Sequence, residues 1–408
     1  CSLDNSATQE YGPTMKSRAP ERLVACMANN RPSSTPVRVV LLFALTLVGV
    51  APLLHSWASE ARFFRILAPG PTAITSISSD GLVAWTSTLT GVTCTVQAAE
   101  NLVGSDIWRD YVRVSMATAT VSLQLFDPKP PPSMAFIPAG WFTMGDTFNE
   151  GNSEERPTHP VDLRAFHIDR TETTKAQWDA VYGWAIGHGY SFDNAGLGKA
   201  NNHPVVNVNW YDAVKWCNAR SEMEELEPCY YTDAELGVVY KIGQVYQPYV
   251  NWGASGYRLP TEAEWEKAAR GGASGHRFPW LDTDDIMHSR ANYYSSTDYP
   301  YDTSATRGYH PTFSDAVYPY TSPVGYFVAN GYGLYDVAGN VWEWCWDFYG
   351  PYSSGSQTDP IGPAFGSYRA WRGGSWFSPG NGYRCAGRGG SLLGSAVGYV
   401  GFRCVRRL

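Results

Sequence analysis

Residues 331–346 constrain the fold of this 408-residue chain more than any other stretch. They read GYGLYDVAGNVWEWCW, with three Trp and two Tyr set among glycines and two carboxylates, Asp336 and Glu343. The pattern is neither a helical stripe nor a strict alternation. Glycine allows positive φ and close backbone approach, while Trp and Tyr bury large areas and seek a polar partner. The segment therefore predicts an irregular part of a core.

The two carboxylates of this segment flank Gly339 and Val341. Two carboxylates and two main-chain carbonyls can form the all-oxygen shell that a hard cation such as Ca²⁺ takes. The alternative is an Asp turn and a Glu that bonds its own loop, because carboxylates near glycines are common in turns. The residues alone leave both interpretations open.

Further motifs lie on either side of this segment. They are FIPAGWFTMG at residues 136–145, YRLPTEAEWEKAAR at 257–270, RGGS at 372–375 and GFRC at 401–404. Together with GYGLYDVAGNVWEW they resemble, in the same order, the formylglycine-generating enzyme or sulfatase-modifying factor family. The resemblance covers residues 134–408. It implies an α+β, C-type-lectin-like fold with little regular secondary structure.

The resemblance also implies structural calcium at two sites. The second site of the family maps without gaps onto Asp336, Gly339, Val341 and Glu343. The first site maps across a loop that is longer here, and its positions are Asn292, Tyr293, Asp315 and Val317.

The chain departs from the family pattern at the positions of the copper-binding cysteines. The resembling enzymes oxidise a cysteine of sulfatases to formylglycine with copper and oxygen, and the family supplies two Cys shortly after Gly-Gly-Ser. Here Ser378 stands at the first copper-cysteine position, and the segment of the second is shortened around Asn381. Cu(I) is soft and prefers thiolates, so we expect neither copper nor cysteine oxidation. The alternative is a displaced pair of Cys345 and Cys385, although exported thiols that meet form a disulfide more simply.

Aromatic and arginine residues near the Gly-Gly-Ser motif predict a binding groove, because recognition surfaces favour such groups. The candidates are Ser375, Trp376, Phe377, Tyr383, Arg384 and Arg388, with Trp342, Trp371 and Tyr399 beside them. We expect a peptide, glycan or protein ligand, with exported sulfatases among the possible partners. A diverged modifying enzyme or accessory factor is the alternative. A diversified receptor of the same fold is disfavoured. Such receptors carry many Asn codons in the terminal segment, whereas residues 372–404 contain only one Asn.

The chain before residue 134 divides into three stretches. Within residues 1–58, Arg38 precedes sixteen mostly apolar residues and then small ones. This predicts a signal peptide rather than a membrane span of roughly 20 residues, and hence a secreted, periplasmic or cell-surface protein. An uncleaved anchor is the alternative, and Met15 and Met27 are candidate starts. Residues 62–127 alternate apolar and polar positions between Gly turns, which predicts a small β-sandwich or Ig-like module. The Pro-rich residues 128–133 predict a stiff linker.

Six cysteines follow the predicted signal, and an even number in an exported chain favours disulfides. The resemblance implies a bridge between Cys217 and Cys404. The usual partner position of Cys385 is occupied by Ala269, so its partner stays open between Cys345 and Cys229.

Composition bears on the class of partner, and capping signals bear on the positions of the helices. The chain is 44% hydrophobic, only 17% charged, and carries a formal net charge of -7 without a basic stripe, which argues against a nucleic-acid partner. Capping signals predict helices that begin after Thr174, Asn209 and Thr261. Two short strands are expected near residues 238–241 and 245–249.

Overall fold

The computed structural model describes residues 38–42 (backbone only), 63–78, 81–99, 109–127, 130–378 and 380–408. Apart from residues 38–42, which form a strand, the predicted pre-sequence and signal at residues 1–58 lies outside these ranges. None of the helices in the described ranges is long and apolar enough to cross a bilayer.

The described residues form an α+β structure in which strands outnumber helices. The strands are β1 Arg38–Leu42, β2 Phe63–Leu67, β3 Thr72–Ile77, β4 Leu82–Ser87, β5 Val92–Ala99, β6 Arg109–Met116, β7 Thr120–Gln124, β8 Met134–Ile137, β9 Gly140–Met144, β10 His159–Leu163, β11 Phe166–Asp169, β12 Tyr230–Tyr231, β13 Tyr249–Val250, β14 Tyr257–Arg258, β15 Trp342–Phe348, β16 Gln357–Thr358, β17 Tyr368–Arg372, β18 Arg388–Leu392, β19 Val400–Gly401 and β20 Val405–Arg407. The helices are α1 Lys175–Ile186, α2 Trp210–Met223 and α3 Glu262–Ala269, with 3-10 turns at Ser153–Glu155 and Gly380–Tyr383.

The N-terminal part, residues 63–127, contains only strands where the structure describes it. β3, β4 and β7 form one sheet, and β1, β2, β5 and β6 belong to a seven-stranded sheet that continues through β9, β10 and β16. The two parts of the chain meet where Arg113 of β6 pairs with Trp141 of β9. One sheet therefore spans the predicted linker, and an independent sandwich module stays a prediction.

Close backbone contacts reinforce this junction. Tyr332 Oη donates a hydrogen bond of 2.6 Å to the carbonyl of Tyr111. A Cβ on Gly272, which has φ +84, would lie 2.9 Å from that same carbonyl oxygen. One hydrophobic cluster contains Trp85 from the first part and Trp265 from the second. The two parts thus share a core.

The second part, residues 134–408, is built on two four-stranded sheets, β14-β20-β11-β8 and β18-β17-β15-β19. The three predicted helix starts are confirmed, since Thr174, Asn209 and Thr261 each cap a helix in a capping box. The short strands near residues 238–241 and 245–249 are misplaced in the prediction. The structure instead pairs β12 with β13, and residue 239 joins only through an isolated bridge to Tyr231.

The segment of residues 331–346 is irregular in its first part and forms a strand in its second part. Its first part has positive φ at Asp336 and Gly339, as the glycine-rich pattern predicts. From Trp342 onward it forms β15, all of whose residues are buried. β15 lies between β17 and β19, so tertiary burial on both faces explains a strand that lacks polar alternation.

Cys217 on α2 and Cys404 before β20 meet in the core. Their sulfur atoms are 3.6 Å apart and both residues are fully buried, although neither is bonded in this structure. A disulfide requires about 2.05 Å between the sulfur atoms, so a small movement would allow the bridge.

We expect protein secreted into an oxidising medium to carry a Cys217–Cys404 bridge. The bridge would close a loop spanning 187 positions, and its reduction should lower the free energy of unfolding by roughly 5 kcal/mol in the chain-entropy estimate. Peptide mapping without reduction and urea unfolding with and without reductant measure both effects. Reductant should not affect a Cys217→Ala variant in this way, and alkylation of both thiols in the untreated wild type would contradict the bridge.

Candidate functional site

Glu343 lies at the centre of the second part in a fully buried ion pair with Arg403. Arg403 donates to both carboxylate oxygens at 2.7 Å, and Trp265 Nε1 of α3 donates to Oε2 at 2.7 Å. Arg403 also donates to the carbonyls of Asp169 and Tyr335. The pair joins β15, α3 and the C-terminal segment, and Glu343 is already neutralised by a protein cation.

Asp336 keeps an oxygen free beside this ion pair. Its Oδ2 accepts from the Gly325 amide at 2.6 Å, but its Oδ1 is buried with no hydrogen-bond partner. Both carboxylate oxygens of Glu172 are also buried without a partner. Burial, strengthened by the neighbouring Asp336, raises the pKa of Glu172 well above its usual range. Burial likewise raises the pKa of Asp336.

Unpartnered buried oxygens suit a hard cation, so the residues around Asp336 fit the predicted second Ca²⁺ site. Glu343 fits less simply, because Arg403 and Trp265 already donate to it. In the described ranges, no three Asp, Glu, His or Cys side chains form a group that could hold a metal. A site here therefore needs the carbonyls of Gly339 and Val341 and stays a prediction.

The first predicted Ca²⁺ set is split between core and surface. Asn292 and Tyr293 are buried, and the Asn292 amide donates to the Tyr320 carbonyl at 2.8 Å. Asp315 instead pairs with the Lys199 ammonium at 2.6 Å on an exposed loop, where Val317 is also exposed. Because a lysine already supplies the positive charge, these residues fit a calcium ion less well than those around Asp336.

Ser378 belongs to a small network of hydroxyl and indole groups. Trp342 Nε1 donates to Ser378 Oγ at 2.8 Å, and Ser375 Oγ lies 2.9 Å from the same atom. The Tyr294 amide donates to the Ser378 carbonyl at 3.3 Å. The donors and acceptors around this position are oxygen and nitrogen groups, which do not fit Cu(I).

Cys345 and Cys385 are both buried free thiols. Burial raises the pKa of Cys345 well above its usual range and that of Cys385 to about 12. Burial therefore favours the protonated thiol at both positions. The Cys385 amide donates to the Arg277 carbonyl, while the Cys345 thiol lies 3.9 Å from the Glu343 carbonyl oxygen.

Burial removes most of the predicted groove residues from the surface. Arg384 forms a two-bond ion pair with Glu155 at 2.6 Å, and Arg388 pairs in the same way with Glu262. Tyr383 is fully buried and donates its hydroxyl to the Ser375 carbonyl. These three residues hold the fold together. Their prediction as parts of an exposed groove is wrong, because Arg384 and Arg388 are buried against glutamates distant in sequence and Tyr383 is buried against the Tyr293 ring.

A surface of touching rings lies beside Ser378 instead. Tyr309 contacts Tyr294, Tyr320 and Trp376, with ring centroids 5.0–5.8 Å apart. Tyr318 packs edge-on against Trp376, and Phe377 stacks on Tyr399 at 5.5 Å. The aromatic surface is defined as Tyr294, Tyr309, Tyr318, Tyr320, Trp376, Phe377 and Tyr399.

The exposed parts of this surface come mainly from loops. Tyr318 is 61% exposed and Phe377 51% exposed, whereas Trp376 beneath them is only 3% exposed. Trp376 is held by its indole N–H, which donates to the Gly398 carbonyl. Trp376, Phe377 and Tyr399 are predicted here from the sequence, whereas the four tyrosines are predicted only as part of aromatic-rich loops that form either a binding surface or a loop-built core. Their only signal was a high density of Tyr between residues 293 and 320.

Comparison with known proteins identifies the family. The model of the sulfatase-modifying factor enzyme 1-like domain matches residues 123–408, well over half of the chain. The chain belongs to this family. The resemblance found in the motifs is therefore confirmed for the second part, and the family match begins within β7, upstream of the predicted linker.

Relatives of this family member carry different names. The formylglycine-generating enzyme of Streptomyces coelicolor is 36% identical over 289 residues, which cover 66% of this chain and 87% of that protein. Chaperone protein LppX of Paenibacillus barcinonensis is 34% identical over 232 residues, covering 53% of this chain and 71% of that protein. The solved structure of Treponema denticola variable protein 1 gives a TM-score of 0.52 at 28% identity, covering 71% of this chain and 96% of that one.

The buried ion pair predicts a large stability effect. Arg403→Met should lower the free energy of unfolding by about 3–5 kcal/mol, because it leaves the Glu343 carboxylate buried without its partner. Arg407→Met, on the exposed end of β20, should change it by less than about 0.5 kcal/mol. Urea unfolding of both variants measures the difference, and equal midpoints would contradict a structural role for the pair.

Calcium should stabilise the folded protein through Asp336. After chelation, adding Ca²⁺ at about 100 times its dissociation constant should stabilise the wild type by about 2.7 kcal/mol. Asp336→Asn keeps a residue that tolerates positive φ but removes the charge, so a smaller shift is expected. Asp315→Asn tests the first site separately. Thermal unfolding measures the shifts, and an unchanged midpoint in the wild type would rule out the cation.

Proposed function

We propose that this protein is an exported member of the sulfatase-modifying factor family that binds a peptide, glycan or partner protein and does not oxidise cysteine. The observation that carries the proposal is Ser378, which stands at the position of the first copper cysteine and is bonded to Trp342 and Ser375.

The chemistry at Ser378 supports binding without oxidation. A neutral hydroxyl is a hard, weak ligand, whereas Cu(I) requires soft donors such as thiolates. The thiols of Cys345 and Cys385 are buried in the core, and their contacts are with Glu343 and Arg277 rather than with Ser378.

The aromatic surface supports recognition of a ligand beside Ser378. Rings such as Tyr318 and Phe377 offer large contact areas with few rotatable bonds, and the tyrosines add a hydroxyl for hydrogen bonding. Rings that pack against one another lose little side-chain entropy when a ligand covers them. Peptide side chains and sugar rings are both suitable occupants of such a surface.

Relatives are compatible with this use of the fold. One is named a chaperone protein and another a variable protein, while others are named formylglycine-generating enzymes. Members of this family thus carry names from more than one functional class. Calcium at Asp336 and export from the cytoplasm are parts of the same proposal.

The alternative function is that of a diverged modifying enzyme or an accessory factor for exported sulfatases. The formylglycine-generating enzyme of Streptomyces coelicolor supports this alternative, since it matches over 87% of its own length. Both proposals allow a sulfatase segment to bind. They differ in whether bound cysteine is oxidised.

Copper titration combined with oxygen uptake distinguishes them. We expect no Cu(I) binding that competes with a thiol chelator, and no aldehyde on a Cys-containing sulfatase peptide, because the thiolate pair is absent. The Streptomyces coelicolor relative serves as the positive control. Aldehyde formation above the level of a copper-only blank would overturn the proposal in favour of the enzyme.

A second measurement locates the ligand. Screening immobilised sulfatase-derived peptides and a glycan array should give at least one binder, whose affinity falls about tenfold or more in Phe377→Ala if Phe377 is central to the interface. Phe365→Ala is the matched control, because Phe365 is 79% exposed but lies outside the aromatic surface. Equal losses in both variants, or none in either, would reject the aromatic surface as the binding site.

A further inference from the structure

A cavity lies between the N-terminal part and the family domain, and it is distinct from the aromatic surface. Its volume is about 530 Å³, within the range of small-molecule sites. Tyr111 and Arg113 of β6 line one wall, while Trp141 of β9 and Lys267 of α3 line others. Exposed Ser274 and Gly275 lie at its rim. The junction described above therefore encloses a cavity that neither part forms alone.

Lys267 is the unusual group in this cavity. Only 3% of the residue is exposed, and its ammonium donates to the Gly140 carbonyl at 2.7 Å. No carboxylate forms an ion pair with Lys267 in the part of the chain that the structure describes; Asp162 and Asp359 act on it only from a greater distance. An ammonium has three donors, and a buried charge without a counter-ion is costly. Accordingly, burial lowers the pKa of Lys267 to about 7.

The charged residues that line the cavity are all cationic. Its described lining contains Lys267, Arg113 and Arg270 but no Asp or Glu. Arg270 is neutralised by Glu266, and Arg113 lies 3.6 Å from Asp110 while donating to Ser274. Lys267 is thus the one lining cation in the described residues that lacks an ion-pair partner. A negatively charged ligand would supply the missing ion-pair partner of Lys267.

The remaining walls suit an aromatic body. Tyr111, Trp141, Phe142 and Tyr332 contribute rings to the lining. The rings of Tyr111 and Tyr332 pack edge-to-face with their centroids 5.3 Å apart, and the Tyr332 hydroxyl donates a hydrogen bond to the Tyr111 carbonyl. The cavity lining thus combines aromatic rings with the Lys267 side chain.

We propose that this junction cavity binds a small aromatic carboxylate, with its carboxylate on the Lys267 ammonium and its ring among Tyr111, Trp141 and Tyr332. The charge interaction places the ligand, and the surrounding rings exclude water from it. The cavity requires β6 of the N-terminal part, so this site would be a property of the two parts together rather than of the family domain alone.

The test uses 2-naphthoate and its neutral analogue 2-naphthalenemethanol as probes in isothermal titration calorimetry of the full chain at pH 6.5. The carboxylate should bind at least about tenfold more tightly than the alcohol, because hydrogen bonds to charged groups are the stronger kind. In Lys267→Met the preference should fall to within about twofold, since Met keeps the length and removes the charge. Lys241→Met, whose lysine pairs with Glu222 elsewhere, should keep the preference.

Two further measurements prevent a folding defect or a second site from deciding the result. In the unmutated protein, naphthoate should protect Lys267 from acetylation by acetic anhydride, as read by mass spectrometry, and Lys241 should stay reactive. Phe377→Ala should leave naphthoate binding unchanged. Equal affinity for acid and alcohol, no saturation by naphthoate at millimolar concentration, unprotected Lys267, or loss of binding in Phe377→Ala would each overturn the proposal.

Discussion

Buried pairs of arginine and carboxylate hold this structure together. Glu343 binds Arg403, Glu155 binds Arg384, and Glu262 binds Arg388, and the partners of these pairs are 60, 229 and 126 residues apart in sequence. A fold with three short helices has few local contacts to fix the path of its loops. The desolvation cost of such pairs nearly cancels their attraction, but breaking one leaves an isolated charge in the core. They therefore act mainly by excluding other arrangements of the loops.

This framework explains how one position can change its chemistry while the fold is retained. Ser378 lies on a loop that is held through Trp342 and Ser375, and neither contact requires sulfur. The loops that carry the tyrosines pack against Trp376, which is itself anchored to the Gly398 carbonyl. A binding surface on such a rigid base retains its geometry when a ligand leaves. The proposed recognition function therefore requires no change of the fold.

The N-terminal part packs against the family domain and shares a hydrophobic cluster with it. Its sheet continues into β9, and Tyr111 bonds directly to Tyr332 of the glycine-rich segment. The junction buries Lys267 of α3 beside a cavity, and none of the carboxylates that the structure describes forms an ion pair with it. A buried charge without an ion-pair partner lowers the stability of the fold. This cost is the physical reason for proposing that Lys267 binds a ligand. The junction cavity and the aromatic surface share no residue, so separate variants can test them.

The sequence by itself determined the family, the helix starts at Thr174, Asn209 and Thr261, and the serine at the copper position, because motif order, capping boxes and single substitutions are local information. Only the tertiary structure decided which aromatic and charged residues face solvent. Arg384 and Arg388 were predicted as residues of the groove, yet each is paired in the core with a glutamate more than 120 residues away. Lys267 occurs within a helical motif, and only the approach of β6 and β9 reveals that it lines a cavity. Burial and charge pairing depend on such distant contacts, for which neighbouring residues carry no signal.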